Sequence, residues 1–129
     1  MKLSIVVPCY NEEPVLQETT ARLSAVLDSL IEKQKISSDS FILYVNDGSR
    51  DKTWTLIMSL HEGNPYVKGL NLAGNVGHQN ALMAGLMVAK EYADILVSID
   101  ADLQDDVSVI EEMVDRYKEG YDIVYGVRS

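Results

Sequence analysis

Short, nearly continuous apolar runs alternate along this chain with longer stretches in which apolar residues recur every three or four positions. The run 3–7 ends at Pro8, and from about 14 to 35 the residues Leu16, Leu23, Val26, Leu27, Leu30 and Ile31 fall on one side of a helix. The pattern repeats as a strand over 41–45 running into Asp47-Gly48-Ser49, a helix over 52–61, a strand over 66–72 and a helix from about 77 to 91. A strand over 94–99, a helix over 107–119 and a strand over 122–125 complete it. Met83 and Met87, repeating at helical spacing with Leu82 and Leu86, read as facing the core.

Alternating strands and helices predict an α/β fold, with a mostly parallel, Rossmann-like sheet and helices on both faces, because each crossover lays its helix on the sheet. Runs such as Ser4-Ile5-Val6-Val7 and Ile95-Leu96-Val97-Ser98-Ile99 suit strands buried on both sides. At 129 residues, 47% of them hydrophobic, the chain holds one core, so residues 1–129 read as a single domain.

A formal net charge of −9 removes nucleic acid as a partner, since a phosphate backbone requires a clustered Lys/Arg surface. The single cysteine, Cys9, rules out a disulfide framework or a Cys-based metal site within the chain and fits a reducing, cytosolic setting. The longest apolar stretch, 81–89, falls well short of the roughly 20 residues of a membrane span. The strand pattern starting directly after Met1 leaves no signal peptide, so the chain reads as soluble.

Open parallel sheets bind ligands outside the carboxyl ends of their strands, so the residues just after each strand matter most. Here they are polar: Pro8-Cys9-Tyr10-Asn11-Glu12-Glu13, Asn46-Asp47-Gly48-Ser49, Asn75-Val76-Gly77-His78, the acidic stretch from Asp100 to Asp106, and Gly126-Val127-Arg128. In Asp100-Ala101-Asp102, residues two apart on an extended chain point the same way and bring two carboxylates together. At about 5 Å and an effective dielectric of about 20 they repel by roughly 3 kcal/mol, a penalty that a hard divalent ion reverses. Mg²⁺ or Mn²⁺ bridging to a diphosphate is the natural use; a solvated acidic turn capping the next helix is an equally good reading of these residues alone. Asp47 suits N–H or O–H donors of a base or ribose, although Asp-Gly is also ordinary turn chemistry. Pro8 and Tyr10 could shape and stack on a base, or simply end a strand and occupy a loop. His78 and His61 read as local polar residues at helix ends, without a catalytic role.

In order, Ile5-Val6-Val7-Pro8-Cys9-Tyr10-Asn11-Glu12-Glu13, Val45-Asn46-Asp47-Gly48-Ser49-Arg50-Asp51, Asn75-Val76-Gly77-His78-Gln79-Asn80-Ala81 and Asp100-Ala101-Asp102-Leu103-Gln104-Asp105 resemble the family 2 glycosyltransferases. Within them the polyprenyl-phosphate branch is the nearest, including dolichol-phosphate mannosyltransferases and bactoprenol glucosyltransferases. The resemblance covers essentially the whole chain and implies a GT-A fold holding a nucleoside diphosphate sugar. It implies that Pro8, Tyr10, Asn11, Glu12 and Asp47 cradle the nucleoside, with backbone contacts from Val45 and Ala101. It further implies that Asp100, Asp102 and Gln104 serve the metal, Mg²⁺ or Mn²⁺, and that Asp100, Asp102 and Arg128 serve the diphosphate. Two departures bear on the sugar: Gly74 replaces the basic residue usual before Asn75, and Asp106 and Val107 replace the prolines usual after Leu-Gln-Asp. Enzymes of this branch continue into an acceptor-binding region, so the chain is expected to be a donor-binding part truncated at its C-terminus.

The implied reaction is an inverting transfer to a lipid phosphate, at the cytoplasmic face of the membrane in the full-length protein; a homo-oligomer is left open. A phosphate acceptor is already ionised at neutral pH and needs no general base. The other reading of the chain is a nucleotide-sugar-binding part without turnover of its own. An NAD-dependent dehydrogenase would need Gly-x-Gly-x-x-Gly after the first strand, where Pro8 to Glu13 stand, and a receiver-like signalling domain would want a Lys where Arg128 stands.

Overall fold

The computed structural model describes residues 1–102, 107–120 and 125–127. Among the described residues nine elements follow one another: β1 (Leu3–Cys9), α1 (Leu16–Glu32), β2 (Phe41–Asn46), α2 (Thr53–Gly63), β3 (Val67–Asn71), α3 (His78–Lys90), β4 (Ile95–Ile99), α4 (Ser108–Lys118) and β5 (Tyr125–Val127). The strands form one sheet of order β3-β2-β1-β4-β5, parallel throughout. After β3 the chain returns across β1 to build β4, so the order switches direction between β1 and β4. That is where an open parallel sheet leaves a crevice at its carboxyl edge.

Strand pleating divides the core in two. Leu3, Ile5 and Val7 of β1, Ile42 and Tyr44 of β2, and Ile95, Val97 and Ile99 of β4 point to the face covered by α1, α2 and α4. Val6, Phe41, Leu43 and Val45 point to the opposite face, which α3 covers. The expected helices on both faces are present, three on one and one on the other. α3 lies close because its inward residues are Ala81, Gly85 and Ala89; a Cβ on Gly85 would come within 2.6 Å of Val45 and 2.7 Å of Val6. This small-residue stripe corrects the expectation for the methionines. Met83 and Met87 sit about 200° around the helix from it and are 55% and 66% exposed.

The first strand runs two residues beyond its expected end at Val7, through Pro8 to Cys9. Asp47 N–H donates to Cys9 O at 2.9 Å, so the backbone polar groups of Cys9 face β2, and those of Pro8 face the β4 side. The β1–β4 register ends at Val6 opposite Ser98, so the missing N–H of Pro8 breaks no ladder bond. At the far end, 122–124 of the expected last strand lie outside the described residues. Gly126 and Val127, expected in a loop, pair instead with Ser98 and Ile99.

Two adjacent buried threonines fasten α1 under the carboxyl edge. Thr20 shares a 2.5 Å hydrogen bond with the Tyr44 hydroxyl, and the Thr19 hydroxyl donates to Ala101 O. Tyr44 is fully buried, and burial keeps its hydroxyl protonated far above the ordinary tyrosine range, despite the opposing pull of Thr20. Thr20→Val would strand that hydroxyl, so a loss of about 1–3 kcal/mol is expected by urea denaturation. A loss below about 0.5 kcal/mol would mean that Tyr44 finds another partner.

Candidate functional site

At the carboxyl edge the loops after β1 and β2 are laced together. Asn11 takes a left-handed backbone (φ 54°), which asparagine tolerates better than most residues. Its carboxamide oxygen accepts Arg50 N–H at 2.8 Å and Asp51 N–H at 3.3 Å, while its own N–H donates to the Ser49 hydroxyl at 2.9 Å. Glu12 N–H donates to the Thr53 hydroxyl at 2.9 Å, and that hydroxyl donates in turn to Asp51. The side chain of Asn11 is therefore engaged in shaping the edge. Burial raises the carboxyl of Asp51, but the Thr53 hydroxyl and surrounding N–H groups outweigh it and hold the group below its ordinary value.

The loop after β3 packs onto the β2 turn through Asp47. Although only 3% exposed, this carboxylate accepts Val76 N–H at 2.7 Å and Gly77 N–H at 3.2 Å, and Asp47 O accepts the Asn75 amide at 3.1 Å. Gly48, at φ +67°, sits against the backbone of Gly74 and Asn75, where a Cβ has no room. The contact sets the entry to α3, with Ala81 N–H bonded to Gly77 O. Pro8, Cys9, Tyr10, Asp47, Gly77 and His78 are among the residues enclosing a cavity of about 160 Å³ there. That volume admits one ring of a ligand rather than a whole nucleotide sugar. Tyr10 is 43% exposed at the rim, with its ring available for stacking.

Beside this cavity lie the acids. Asp100 is half-buried and Asp102 exposed; His78 Nε2 approaches Asp100 Oδ1 to 3.8 Å. Burial first, then the charges of Asp102, Asp100 and Asp51, push the Glu12 carboxyl above its usual range. In the unfolded chain Glu12 ionises near about 4.3. The folded chain holds the proton more tightly, so stability is fully present below that value and falls as pH rises towards the raised pKa. Glu12→Gln removes the repulsion, so a Tm increase of about 1–2 °C is expected at neutral pH, small because the group is partly solvated, and none near about pH 4. An equal increase at both pH values would show that ionisation is not its origin.

Pro8, Tyr10 and Asp47 thus meet around one cavity, and Glu12, Asp100 and Asp102 gather next to it. Val45 and Ala101 are buried in the core on opposite faces of the sheet, whereas Gln104 and Arg128 lie outside the described residues. From the sequence, the loop of Asn75, Gly77 and His78 stands at a strand end, with a phosphate or ligand contact open to His78 but no catalytic role; none of the three is among the expected binding residues. A larger hollow of about 710 Å³ lies elsewhere, against Phe41, Leu43, Tyr66, Lys68, Val88 and Tyr92. Its walls are mainly apolar, it gathers no group of acids, and it marks the part of β2 and β3 that α3 leaves uncovered.

Residues 4–129 match glycosyl transferase family 2. The chain is 58% identical to the uncharacterized glycosyltransferase YkoT of Bacillus subtilis (strain 168), over 98% of this chain and 37% of that protein. It is 35% identical to the prophage bactoprenol glucosyl transferase homolog of Escherichia coli (strain K12), over 100% of this chain and 40% of that protein. Among solved structures, S. aureus TarS 1–349 in complex with UDP superposes with a TM-score of 0.59 at 23% identity, covering 87% of this chain and 32% of that one. The chain belongs to glycosyl transferase family 2, and its fold is of the GT-A type. It spans about two fifths of the length of these curated relatives.

Proposed function

We propose that this chain is the donor-binding part of an inverting glycosyltransferase that takes a nucleoside diphosphate sugar and, in the whole protein, passes the sugar to a polyprenyl phosphate. The observation that carries this reading is the juxtaposition, at the sheet's switch point, of a ring-sized cavity under Tyr10 and Asp47 with the carboxylates of Asp100 and Asp102. A base fits the first; a diphosphate fits the second only with a cation between. Among the described residues no group of three or more His, Cys, Asp or Glu is placed to hold a metal, so these residues do not form a full protein cage. Two carboxylates are nonetheless the usual protein share of a Mg²⁺ or Mn²⁺ site completed by waters and substrate phosphates.

Asp100 and Asp102 would hold this ion, with Gln104 proposed as a third ligand. The ion would neutralise charge on the departing diphosphate. The chain's own residues orient the donor: Tyr10 stacks on the base, and Pro8 and the loop held by Asp47 wall it in. Arg128 is proposed to face the donor phosphates. A lipid phosphate attacks without a general base, because it is already ionised. The relatives named as bactoprenol glucosyl transferases support this acceptor, and with it a place at the cytoplasmic face of a membrane. Among the described residues no helix is long and apolar enough to cross a membrane.

The test is calorimetry and thermal shift with UDP, GDP, their glucose and mannose conjugates, and NAD, each with Mn²⁺ and with EDTA. A ligand at about 100 times its Kd should stabilise the fold by roughly 2.7 kcal/mol, a shift of several degrees. Binding of one nucleoside diphosphate in Mn²⁺ is expected; binding of NAD alone would overturn the reading. Adding acceptor lipid separates turnover from a binding part without it, since only turnover releases nucleotide continuously.

A further inference from the structure

We propose that Thr19, on α1, is a positioning residue for the Asp100-Ala101-Asp102 pair, which it holds through the Ala101 carbonyl so that both carboxylates serve one cation. The proposal rests on reading that pair as a metal site. β4 ends at Ile99, so Asp100 to Asp102 lie beyond the pleat that would otherwise orient side chains two apart. Something else must hold the peptide between them. Thr19 is 2% exposed, and its hydroxyl donates to Ala101 O across 82 residues of sequence. Buried helical threonines commonly bond back to their own helix, four residues earlier. Here Val15 O receives Thr19 N–H, and the hydroxyl reaches out of the helix. Ala101 is itself 2% exposed and packs in the α1 side of the core, so water has little access to its carbonyl. Rotation of this peptide would swing the carboxylates on either side of it.

The neighbouring Thr20 supplies a control, since its hydroxyl bonds Tyr44 and not the acidic turn. Thr19→Val keeps the shape and removes the donor; Thr19→Ser keeps the donor. Mn²⁺ binding to the apo chain, followed by the paramagnetic resonance signal of free Mn²⁺, is expected to weaken about tenfold in Thr19→Val, the scale on which outer partners tune metal sites. Thr19→Ser should stay within about twofold of wild type. Thr20→Val should lower Tm while leaving Mn²⁺ binding unchanged. Equal binding by Thr19→Val and wild type would overturn the proposal. So would a Thr19→Ser as weak as Thr19→Val, which would assign the effect to the methyl group, or an equal loss in Thr20→Val, which would assign it to a loosened helix. A wild-type chain that takes up no Mn²⁺ would overturn it together with the reading of the site.

Discussion

Gly48→Ala is expected to cost the fold about 3 kcal/mol or more, read as a shift in the urea midpoint. Two effects add. A non-glycine residue in a left-handed conformation, here φ +67°, costs roughly 1–2 kcal/mol. The new Cβ would also lie 2.4 Å from Asn75 N and 2.7 Å from the Gly74 carbonyl carbon, both backbone atoms that no side-chain rotation relieves. Relief requires the 74–77 loop to move off the turn, which breaks the bonds from Val76 and Gly77 to Asp47. Hydrogen bonds to a charged group contribute about 1.5–3 kcal/mol each, and the Asp47 carboxylate they leave is buried. For a chain of this size the Tm should fall by about 10 °C or more. A loss under about 1 kcal/mol would show that the two loops separate freely and that the packed turn is not what holds the cavity.

Asp102→Ala is expected to act mainly on ligand binding. The expected result is a loss of at least about 100-fold in Mn²⁺-dependent nucleotide affinity by calorimetry, equivalent to about 2.7 kcal/mol. Removing Asp102 leaves Asp100 as the one carboxylate of the proposed set, which halves the anionic charge that the protein offers a divalent ion bridging to the diphosphate. Stability should hold or rise slightly, because Asp102 is exposed and its charge contributes to the raised pKa of Glu12. Residual binding that is unchanged by EDTA would show that nucleotide is held without the ion. Loss of binding accompanied by a large fall in Tm would show that Asp102 is structural.

Much of the fold was legible because buried parallel strands must be apolar on both faces. β1, β2 and β4 are continuous runs bounded by turn residues, and their order along the chain left little choice of architecture. The same logic misread α3. Large apolar side chains signal a core only when the contact has room for them, and here Gly85 brings the helix so close to Val6 and Val45 that alanines and a glycine face inward. Pro8 misled because its cost depends on which neighbour its missing N–H faces, a property of pairing that local sequence does not carry.

The site shows the same division. Asp100, Asp102, Asp47 and Tyr10 were visible as polar residues at strand ends, where the sheet's geometry gathers them. That Asn11 stitches the turn at Arg50 and Asp51 was not visible, since its partners lie 39 and 40 residues away. Thr19 had one faint signal, a hydroxyl within the apolar stripe of Leu16, Leu23 and Leu27. Its partner follows β4, which only the tertiary fold brings near.

The proposed metal-bound nucleoside diphosphate belongs at the carboxyl edge between β1 and β4. Mn²⁺ broadens nearby amide resonances, so spectra of the labelled chain with UDP or GDP, recorded with Mg²⁺ and then with Mn²⁺, locate the ion directly. With the ion there, Glu12, Asp51, Gly77 and Ala101 fade while Phe41, Tyr66 and Lys68, around the apolar hollow, remain sharp. Fading centred on the hollow, or an even loss across the chain with either nucleotide, would contradict it.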